Sequence, residues 1–245
     1  MLRQLKDCFS HCFPRVYARL WGGGPVYRGC PDAEFYRPLF SPWLGYGGFA
    51  EVTARITPHS LVSPDRLWVL HSLARQALKL PGNFWECGVY KGGTAKLLAG
   101  LIGNPPGTGR QLRLFDTFSG MPETDPGKDL HRQGDFSDTS LSAVKKVVRE
   151  SSQVSFHPGF IPQTFVGLEG ERIAFAHVDV DIHQSVMDCC HFIHPRLVPG
   201  GVMIFDDYGF PTCPGARAAV DAFFVDKAEV PLVLSTGQAV VFKLP

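Results

Sequence analysis

Two apolar runs that each end in a pair of aspartates constrain the fold of this 245-residue chain most strongly. The runs and their acidic ends are 173–178 with Asp179 and Asp181, and 201–205 with Asp206 and Asp207. Short apolar runs of this kind are typical of strands in the centre of a parallel sheet, where helices cover both faces. A helix predicted over 184–196, with Pro199 just beyond its end, joins the two runs. The stretch therefore predicts a strand–helix–strand crossover.

The four aspartates are expected to lie close together. A right-handed crossover places both strands in one parallel sheet with their carboxyl ends at the same edge, and ligands of open α/β sheets bind at that edge. Crowded carboxylates repel one another unless a cation lies between them, and carboxylate oxygens are ligands that Mg²⁺ prefers. The alternative is that each aspartate only caps the helix that follows its strand. Two strand ends with paired aspartates favour the metal site.

Length and composition fit one large globular α/β domain. Hydrophobic residues make up 44% of the chain and charged residues 19%, which is ordinary for a globular protein. A net charge of +1 gives no reason to expect a nucleic acid or an anionic membrane as a partner. No run approaches the roughly 18 apolar residues of a membrane span. Seven cysteines without a Cys-x-x-Cys pair indicate reduced thiols and therefore a cytoplasmic location.

The chain is predicted to divide into an N-terminal segment, 1–62, and a main domain, 63–245. Apolar residues recur at helical intervals in 1–20, which favours a helix that packs on its own domain or on the second subunit of a homodimer over a membrane-surface helix. Residues 21–62 are rich in glycine, proline and aromatic residues and are predicted to form an irregular cover over the active-site edge. Four aromatic residues there either line a substrate pocket or only pack the cover onto the core: Phe35, Tyr36, Trp43 and Tyr46.

A glycine-rich turn follows the first predicted strand, 83–88. Gly88 and Gly92 let a ligand approach the backbone, and the free N–H groups of the following helix favour an anionic group. The Gly-x-x-x-Gly-Gly spacing differs from the Gly-x-Gly-x-x-Gly of dinucleotide-binding proteins. Asp116, which ends the second predicted strand, 111–115, is placed to accept hydrogen bonds from a ribose. Together, the turn and the aspartate predict a cofactor that carries a nucleoside.

The remaining elements complete a seven-stranded sheet. A third strand is predicted over 154–157, and Gly159 and Phe160 follow it at the same edge, where an adenine ring is expected. Two short apolar runs joined by 235–238 predict a terminal hairpin. The prediction is an α/β fold with a mostly parallel seven-stranded sheet, a reversed terminal strand and helices on both faces.

Four segments in this order resemble the macrocin O-methyltransferase (TylF) family: 85–94, 115–122, 178–181 and 199–209. The likeness extends from about residue 63 to 224. It implies the Rossmann-like class I methyltransferase fold, S-adenosylmethionine and Mg²⁺ as cofactors, and methylation of sugar hydroxyls in natural products.

The resemblance also assigns residues. It implies that Asp179, Asp206 and Asp207 bind the metal. The residues expected to contact S-adenosylmethionine are Glu86, Gly88, Val89, Tyr90, Gly92, Thr94, Asp116, Gly159, Phe160 and Asp179. The candidates for the general base that deprotonates the acceptor hydroxyl are Asp179, Asp181 and His183, and His183 stands where the family pattern has a tyrosine.

The leading prediction is a magnesium-dependent O-methyltransferase that acts on a small-molecule hydroxyl acceptor, a sugar or a similar polyol. The alternatives are an NAD-dependent oxidoreductase, which the glycine spacing disfavours, and a non-catalytic S-adenosylmethionine-binding protein, which the four aspartates disfavour. His177 is expected to be a core histidine that is hydrogen-bonded to the backbone.

Overall fold

The computed structural model describes residues 41–44, 48–103, 109–149 and 152–245. The predicted N-terminal helix, 1–20, and the aromatic residues Phe35, Tyr36 and Tyr46 lie outside the described residues. In the part of the chain that is described, no helix is both long enough and apolar enough to cross a membrane.

Within these ranges, seven strands form one sheet in the order β3-β2-β1-β4-β5-β7-β6. Strands β1 to β5 are parallel to their neighbours in this group, and β7 runs antiparallel to both β5 and β6. The predicted mostly parallel sheet with a reversed last strand is therefore confirmed. The strands are β1 Asn83–Cys87, β2 Leu112–Asp116, β3 Val154–Pro158, β4 Ile173–Val178, β5 Leu197–Phe205, β6 Leu232–Val233 and β7 Ala239–Phe242.

Helices cover both faces of the sheet, as predicted. On one face, Val202 and Ile204 of β5 pack into an apolar core with side chains of α1, α2, α3 and α4. On the other face, Met203 and Phe205 pack into a second core with α5 and α6. This alternation explains the continuous apolar runs, because each face of a central strand is buried. The helices are α1 Phe49–Ile56, α2 Pro64–Ala77, α3 Gly93–Ile102, α4 Leu141–Val148, α5 His183–Ile193 and α6 Pro214–Phe224.

The prediction of an irregular segment up to residue 62 is wrong for its described part. This part contains α1 and two 3₁₀ turns, Pro42–Leu44 and Thr57–His59. Helix α1 forms because Phe49 and Ile56, one on each end of it, are both buried in the core, and the Phe49 ring packs edge-on against Trp68 of α2 at 5.0 Å. The Trp43 side chain packs against the same core, which is the packing alternative considered for this aromatic residue.

The crossover between β4 and β5 ends earlier than predicted. Helix α5 stops at Ile193, before a 3₁₀ turn that contains Pro195, because a proline has no N–H group to continue the helix. Pro199 and Gly200 then lie inside β5, at an exposed irregularity where the Gly200 N–H donates to the Lys243 carbonyl at 2.8 Å. Gly200 has φ +78°, a conformation that glycine adopts without strain.

The backbone of Gly88, just after β1, lies close to the backbone of Asp179, just after β4. Gly88 has φ +85°, and a Cβ atom at this position would lie 1.7 Å from the carbonyl oxygen of Asp179. The close approach holds the glycine-rich turn against the end of β4, so the two segments that carry the predicted site residues are fixed relative to each other.

The Gly88→Ala substitution is expected to destabilise the fold by at least about 2 kcal/mol, because a backbone atom blocks the added methyl group. Gly167→Ala is the matched control, since Gly167 also has φ +85° but nothing lies within 4 Å of the added Cβ. Its cost should be only about 1 kcal/mol, from backbone strain. Urea unfolding measures both free energies, and equal losses would show that the contact with Asp179 does not matter.

Candidate active site

A cavity of about 280 Å³ opens at the carboxyl ends of the central strands. The glycine-rich turn after β1 forms one wall, and the segments that follow β2 and β3 form the next. The segments after β4 and β5 form the remaining wall of the cavity. The crossover between these strands thus brings their aspartates to one edge of the sheet, as the sequence predicts. The predicted site residues that line the cavity are Gly88, Val89, Tyr90, Thr94, Asp116, Gly159, Phe160, Asp179, Asp181 and Asp207.

Four predicted site residues are not among the described residues that line the cavity. Glu86 is fully buried in β1, and Asp206 is fully buried at the end of β5. Gly92 precedes α3 with φ +84° and packs against Val144 of α4. His183 is described below.

Asp116 holds the glycine-rich turn in place. Its Oδ2 atom accepts hydrogen bonds from the N–H groups of Val89 at 2.6 Å and Tyr90 at 3.0 Å. Its Oδ1 atom accepts one from the Phe118 N–H at 2.6 Å. The Asp116 carboxylate thus joins the turns after β1 and β2. A ribose hydroxyl that donated to Asp116 would share the carboxylate oxygens with these backbone N–H groups.

The loop between β2 and α4, residues 117–140, closes one side of the cavity and is called the polar loop below. The Asp129 carboxylate anchors the loop, because its Oδ1 atom accepts a hydrogen bond from the His183 N–H at 2.8 Å at the start of α5. The Tyr90 hydroxyl donates to Asp138 at 2.8 Å on the other side. Between these anchors the loop contributes His131 and Phe136 to the cavity wall.

Three carboxylates face the same cavity: Asp207, which is buried, and Asp179 and Asp181, which are partly buried. Burial and the charges of neighbouring aspartates raise the pKa values of Asp179 and Asp207 well above the ordinary value. The pKa of Asp181 is also raised, mainly by burial. The Asp181 N–H donates to Asp207 Oδ2 at 3.0 Å and links the two strand ends. The short distances between these carboxylates therefore disfavour the ionisation of all three at once.

Asp206 differs from the other three because it is surrounded by donors. Its Oδ2 atom pairs with the Arg66 guanidinium from α2, and its Oδ1 atom accepts a hydrogen bond from Gln238 Nε2 at 2.7 Å. Burial by itself raises the pKa of Asp206, but the hydrogen bond from His177 and the charges of His177 and Arg66 lower it below the ordinary value. Asp206 is therefore an ionised, fully paired carboxylate beneath the cavity.

The prediction for His177 is wrong in its choice of partner. This histidine is fully buried, as expected, but its ring bonds to two carboxylates: Nδ1 to Glu86 Oε1 at 3.0 Å and Nε2 to Asp206 Oδ1 at 3.5 Å. In a central strand the neighbouring strands occupy the backbone groups, so a buried imidazole needs side-chain partners. Burial lowers the pKa of His177, yet the hydrogen bonds to Asp206 and Glu86 outweigh burial and raise it to about 10.

His183 is not among the described residues that line the cavity. Its backbone N–H donates to Asp129 of the polar loop, and its Cβ lies beside Gly215 of α6, where an added Cβ would come within 3.1 Å of it. Asp179 and Asp181 line the cavity and keep their candidacy.

The donor set fits a hard divalent cation in part. Asp179 and Asp207 line the cavity with raised pKa values, which is the chemistry expected of carboxylates that lack a cation. Asp206 fits less well, because Arg66, Gln238 and His177 already occupy its oxygens. Among the described residues, two groups of three candidate ligands have atoms within 4.8 Å of one another, and neither is the predicted trio: His131–Asp181–Cys213 and His177–Asp179–Asp206.

Sequence reasoning missed four residues of this site: Arg66, His131, Cys213 and Gln238. Arg66 is 140 residues from its partner Asp206, so no local pattern connects them. For His131 the polar composition of 125–138, which follows the second predicted strand at the cofactor edge, is the available signal. Gln238 was assigned only to a hairpin turn.

The comparisons with known proteins agree with this geometry. Residues 54–242 match the family described as Macrocin-O-methyltransferase (TylF). The chain is 29% identical over 204 residues to 8-demethyl-8-(2,3-dimethoxy-alpha-L-rhamnosyl)-tetracenomycin-C 4'-O-methyltransferase of Streptomyces olivaceus, which covers 78% of this chain and 74% of that enzyme. It is 31% identical over 170 residues to mycinamicin III 3''-O-methyltransferase of Micromonospora griseorubida, with 63% and 67% covered. The structure of the O-methyltransferase NovP superposes with a TM-score of 0.69 at 24% identity, over 76% of this chain and 83% of NovP.

The charge on His177 predicts a specific dependence of stability on pH. Because its folded pKa of about 10 exceeds the ordinary 6.5, its stabilising contribution is complete below 6.5 and is lost as the pH rises through 10. His177→Gln should cost about 3 kcal/mol at neutral pH, since the two buried carboxylates lose their cation. The difference between wild type and variant should shrink from pH 7 to 10 in chemical denaturation.

His157→Gln is the matched control for this experiment. Burial lowers the pKa of His157, so this histidine is uncharged at neutral pH and above. Its substitution should therefore cost the same at pH 7 and pH 10. A His177→Gln cost that is equally constant would mean that His177 carries no charge in the folded protein.

Proposed function

Because the chain belongs to the macrocin-O-methyltransferase (TylF) family and is an O-methyltransferase, we propose that it transfers the methyl group of S-adenosylmethionine to a hydroxyl of a sugar or similar polyol with the help of Mg²⁺. One observation carries the proposal: a single cavity has the glycine-rich turn on one side and the carboxylates Asp179, Asp181 and Asp207 on the other. A cofactor and an acceptor can therefore meet in it.

The cofactor side of the proposal rests on the walls after β1, β2 and β3. The methionine portion would lie against Gly88, Val89 and Tyr90, which line the cavity at the start of the glycine-rich turn. Asp116 would accept a hydrogen bond from the ribose, and the half-exposed ring of Phe160 would contact the adenine.

The base that takes the proton of the acceptor hydroxyl is proposed to be Asp181, with Asp179 as the second candidate. An alcohol is a weak nucleophile near neutral pH, so removal of its proton during the reaction raises the rate. Burial raises the pKa of Asp181, and a carboxylate with a raised pKa is a better proton acceptor. Asp181 also reaches the cavity, which His183 does not.

Magnesium would be held by Asp179 and Asp207, whose raised pKa values a cation would reverse. When bound, it would lower the pKa of the coordinated acceptor hydroxyl. Asp206 joins this ligand set only if Arg66 releases its carboxylate. In the structure, Asp206 instead links the end of β5 to Arg66 and Gln238 beneath the cavity.

A sugar acceptor is proposed because both curated relatives are named for methylation of glycosylated natural products. Four residues of the predicted cover contribute to the cavity wall and would face this acceptor: His59, Ser60, Leu61 and Val62. The family membership disfavours the NAD-dependent alternative. The cavity-facing carboxylates disfavour a non-catalytic S-adenosylmethionine-binding protein, which would not need them.

The proposed function is tested by cofactor binding and by the Asp181→Asn variant. The purified protein should bind S-adenosylhomocysteine in calorimetry and should not change NADH fluorescence. With S-adenosylmethionine, a rhamnose-bearing aglycone and Mg²⁺ it should release S-adenosylhomocysteine. Asp181→Asn should keep the cofactor affinity and lower kcat by about 10²–10⁴-fold, because it removes the base.

Asp188→Asn on α5 is the control for this test, since Asp188 lies outside the residues that line the cavity and hydrogen-bonds Gln184. It should leave kcat unchanged. A protein that binds no S-adenosylhomocysteine contradicts the proposed function. Full turnover by Asp181→Asn would contradict the assignment of Asp181 as the base.

The competition between Arg66 and Mg²⁺ for Asp206 makes a further prediction. Without Mg²⁺, Arg66→Met should lower the unfolding temperature, because a buried carboxylate loses its partner. Mg²⁺ should then raise the unfolding temperature more in the variant than in wild type, since the freed Asp206 becomes available as a ligand and binding to the folded state stabilises it. Thermal unfolding with and without MgCl₂ measures both shifts.

Arg113→Met is the control, because the Arg113–Glu171 pair is similarly buried but lies away from the cavity. It should lose stability without gaining any response to Mg²⁺. Equal Mg²⁺ shifts in wild type and Arg66→Met would show that Asp206 takes no part in cation binding.

A further inference from the structure

A cluster of nitrogen, sulfur and oxygen atoms lies in the cavity wall beside the carboxylates. His131 Nε2 is 3.7 Å from Asp181 Oδ1 and 3.7 Å from Cys213 Sγ. Cys213 Sγ is 3.5 Å from Asp181 Oδ1. The three side chains come from the polar loop, the end of β4 and the residue before α6. The proposed methyl transfer uses Asp181 of this cluster but neither His131 nor Cys213.

We propose that His131, Asp181 and Cys213 form a binding site for Zn²⁺ that is separate from the magnesium ligands. A tetrahedral zinc ion with Zn–N and Zn–O distances of about 2.0–2.2 Å and Zn–S of about 2.3 Å holds its ligand atoms roughly 3.3–3.6 Å apart. The three observed separations are close to this spacing. Because all three side chains line the cavity, the fourth position of the metal would face the cavity.

A hydrogen bond on the far side of the imidazole supports this assignment. His131 Nδ1 lies 3.1 Å from Asp135 Oδ2. An N–H at Nδ1 that donates to this carboxylate leaves the lone pair of Nε2 directed at Asp181 and Cys213. Metal-binding histidines commonly have such a carboxylate partner, which fixes the tautomer and the ring orientation. The Asp135 carboxylate in turn accepts a hydrogen bond from the Arg132 N–H at 3.0 Å.

The backbone at Asp181 also favours a ligand role. Asp181 has φ +59°, an unusual conformation for a residue with a side chain. Strained backbone of this kind persists where its surroundings enforce it, and it clusters at functional sites. Here the Asp181 N–H donates to Asp207, which holds the residue in place.

The second group of three candidate ligands lacks these properties. In the His177–Asp179–Asp206 group, both ring nitrogens of His177 bond to carboxylates, so neither offers a lone pair. That group contains no sulfur atom. The cluster with Cys213 is therefore the better zinc site of the two, because a thiolate prefers Zn²⁺ over Mg²⁺. Zinc bound there would occupy Asp181 and inhibit the proposed methyl transfer.

Cobalt substitution tests the site without any methyl transfer. The reduced, metal-free full chain has six further thiols, of which Cys87, Cys189 and Cys190 are buried in the core. The titration therefore uses a variant in which the other three, Cys8, Cys12 and Cys30, are changed to serine. One equivalent of Co²⁺ should produce a thiolate-to-cobalt charge-transfer band. One equivalent of Zn²⁺ should remove the band by displacing the cobalt, whereas excess Mg²⁺ should not.

Variants of the cluster decide the outcome. Cys213→Ser should abolish the band, and His131→Gln should strongly weaken cobalt binding. Asp135→Asn leaves all three ligands in place and should weaken Zn²⁺ affinity by about 10–100-fold. Circular dichroism and S-adenosylhomocysteine binding check that each variant is folded.

A band that survives in Cys213→Ser, a band that Mg²⁺ removes, or no band in the parent protein would overturn the zinc site. The cobalt spectrum is read without cofactor or acceptor, so such a failure leaves the proposed methyl transfer intact. If the protein bound cobalt as expected but did not bind S-adenosylhomocysteine, the proposed methyl transfer would fail and the zinc site would stand.

Discussion

The charge of the buried Asp206 carboxylate constrains this end of the sheet more than any other interaction described here. A carboxylate without solvent access is stable only if donors surround it, and the donors come from three distant elements: Arg66 of α2, His177 of β4 and Gln238 next to β7. One charge therefore joins a helix start, the central strand and the terminal hairpin. Glu86 extends the network into β1 through His177. These contacts place the polar atoms beneath the cavity in one connected network.

This network divides the four aspartates into two kinds. Asp206 is paired from below, whereas Asp179, Asp181 and Asp207 face the cavity with raised pKa values. Carboxylates with raised pKa values are thus concentrated where a substrate proton or a cation would arrive, and not in the core. The proposed general base and the proposed magnesium ligands belong to this second kind. The adjacent residues Asp206 and Asp207 therefore have different surroundings: Asp206 is paired with donors beneath the cavity, and Asp207 faces the cavity. The prediction that both bind the metal in the same way does not distinguish them.

Local patterns predict the sheet and the position of the site, but not the partners of the buried charges. The apolar runs of β4 and β5 identify central strands because both faces of each strand are buried. The aspartates after these strands lie at one edge because parallel strands share a direction. Pairing of Arg66 with Asp206 depends on how α2 packs on the sheet, which no spacing reveals. The same limit explains His177, whose carboxylate partners lie on neighbouring strands, and His183, whose orientation depends on how α5 begins.

Asp179 and Asp181 show how backbone conformation separates two sites that sequence spacing places together. In a regular extended strand, residues two apart point to the same face. The left-handed backbone at Asp181 interrupts this repeat just beyond β4. Asp179 accordingly lies with His177 and Asp206, and Asp181 lies with His131 and Cys213. The first environment contains oxygen and a charged imidazole, and the second adds sulfur and a free imidazole nitrogen. Since hard cations prefer oxygen and zinc accepts sulfur and nitrogen, the proposed magnesium and zinc sites differ in the ligand atoms that surround these two neighbouring carboxylates.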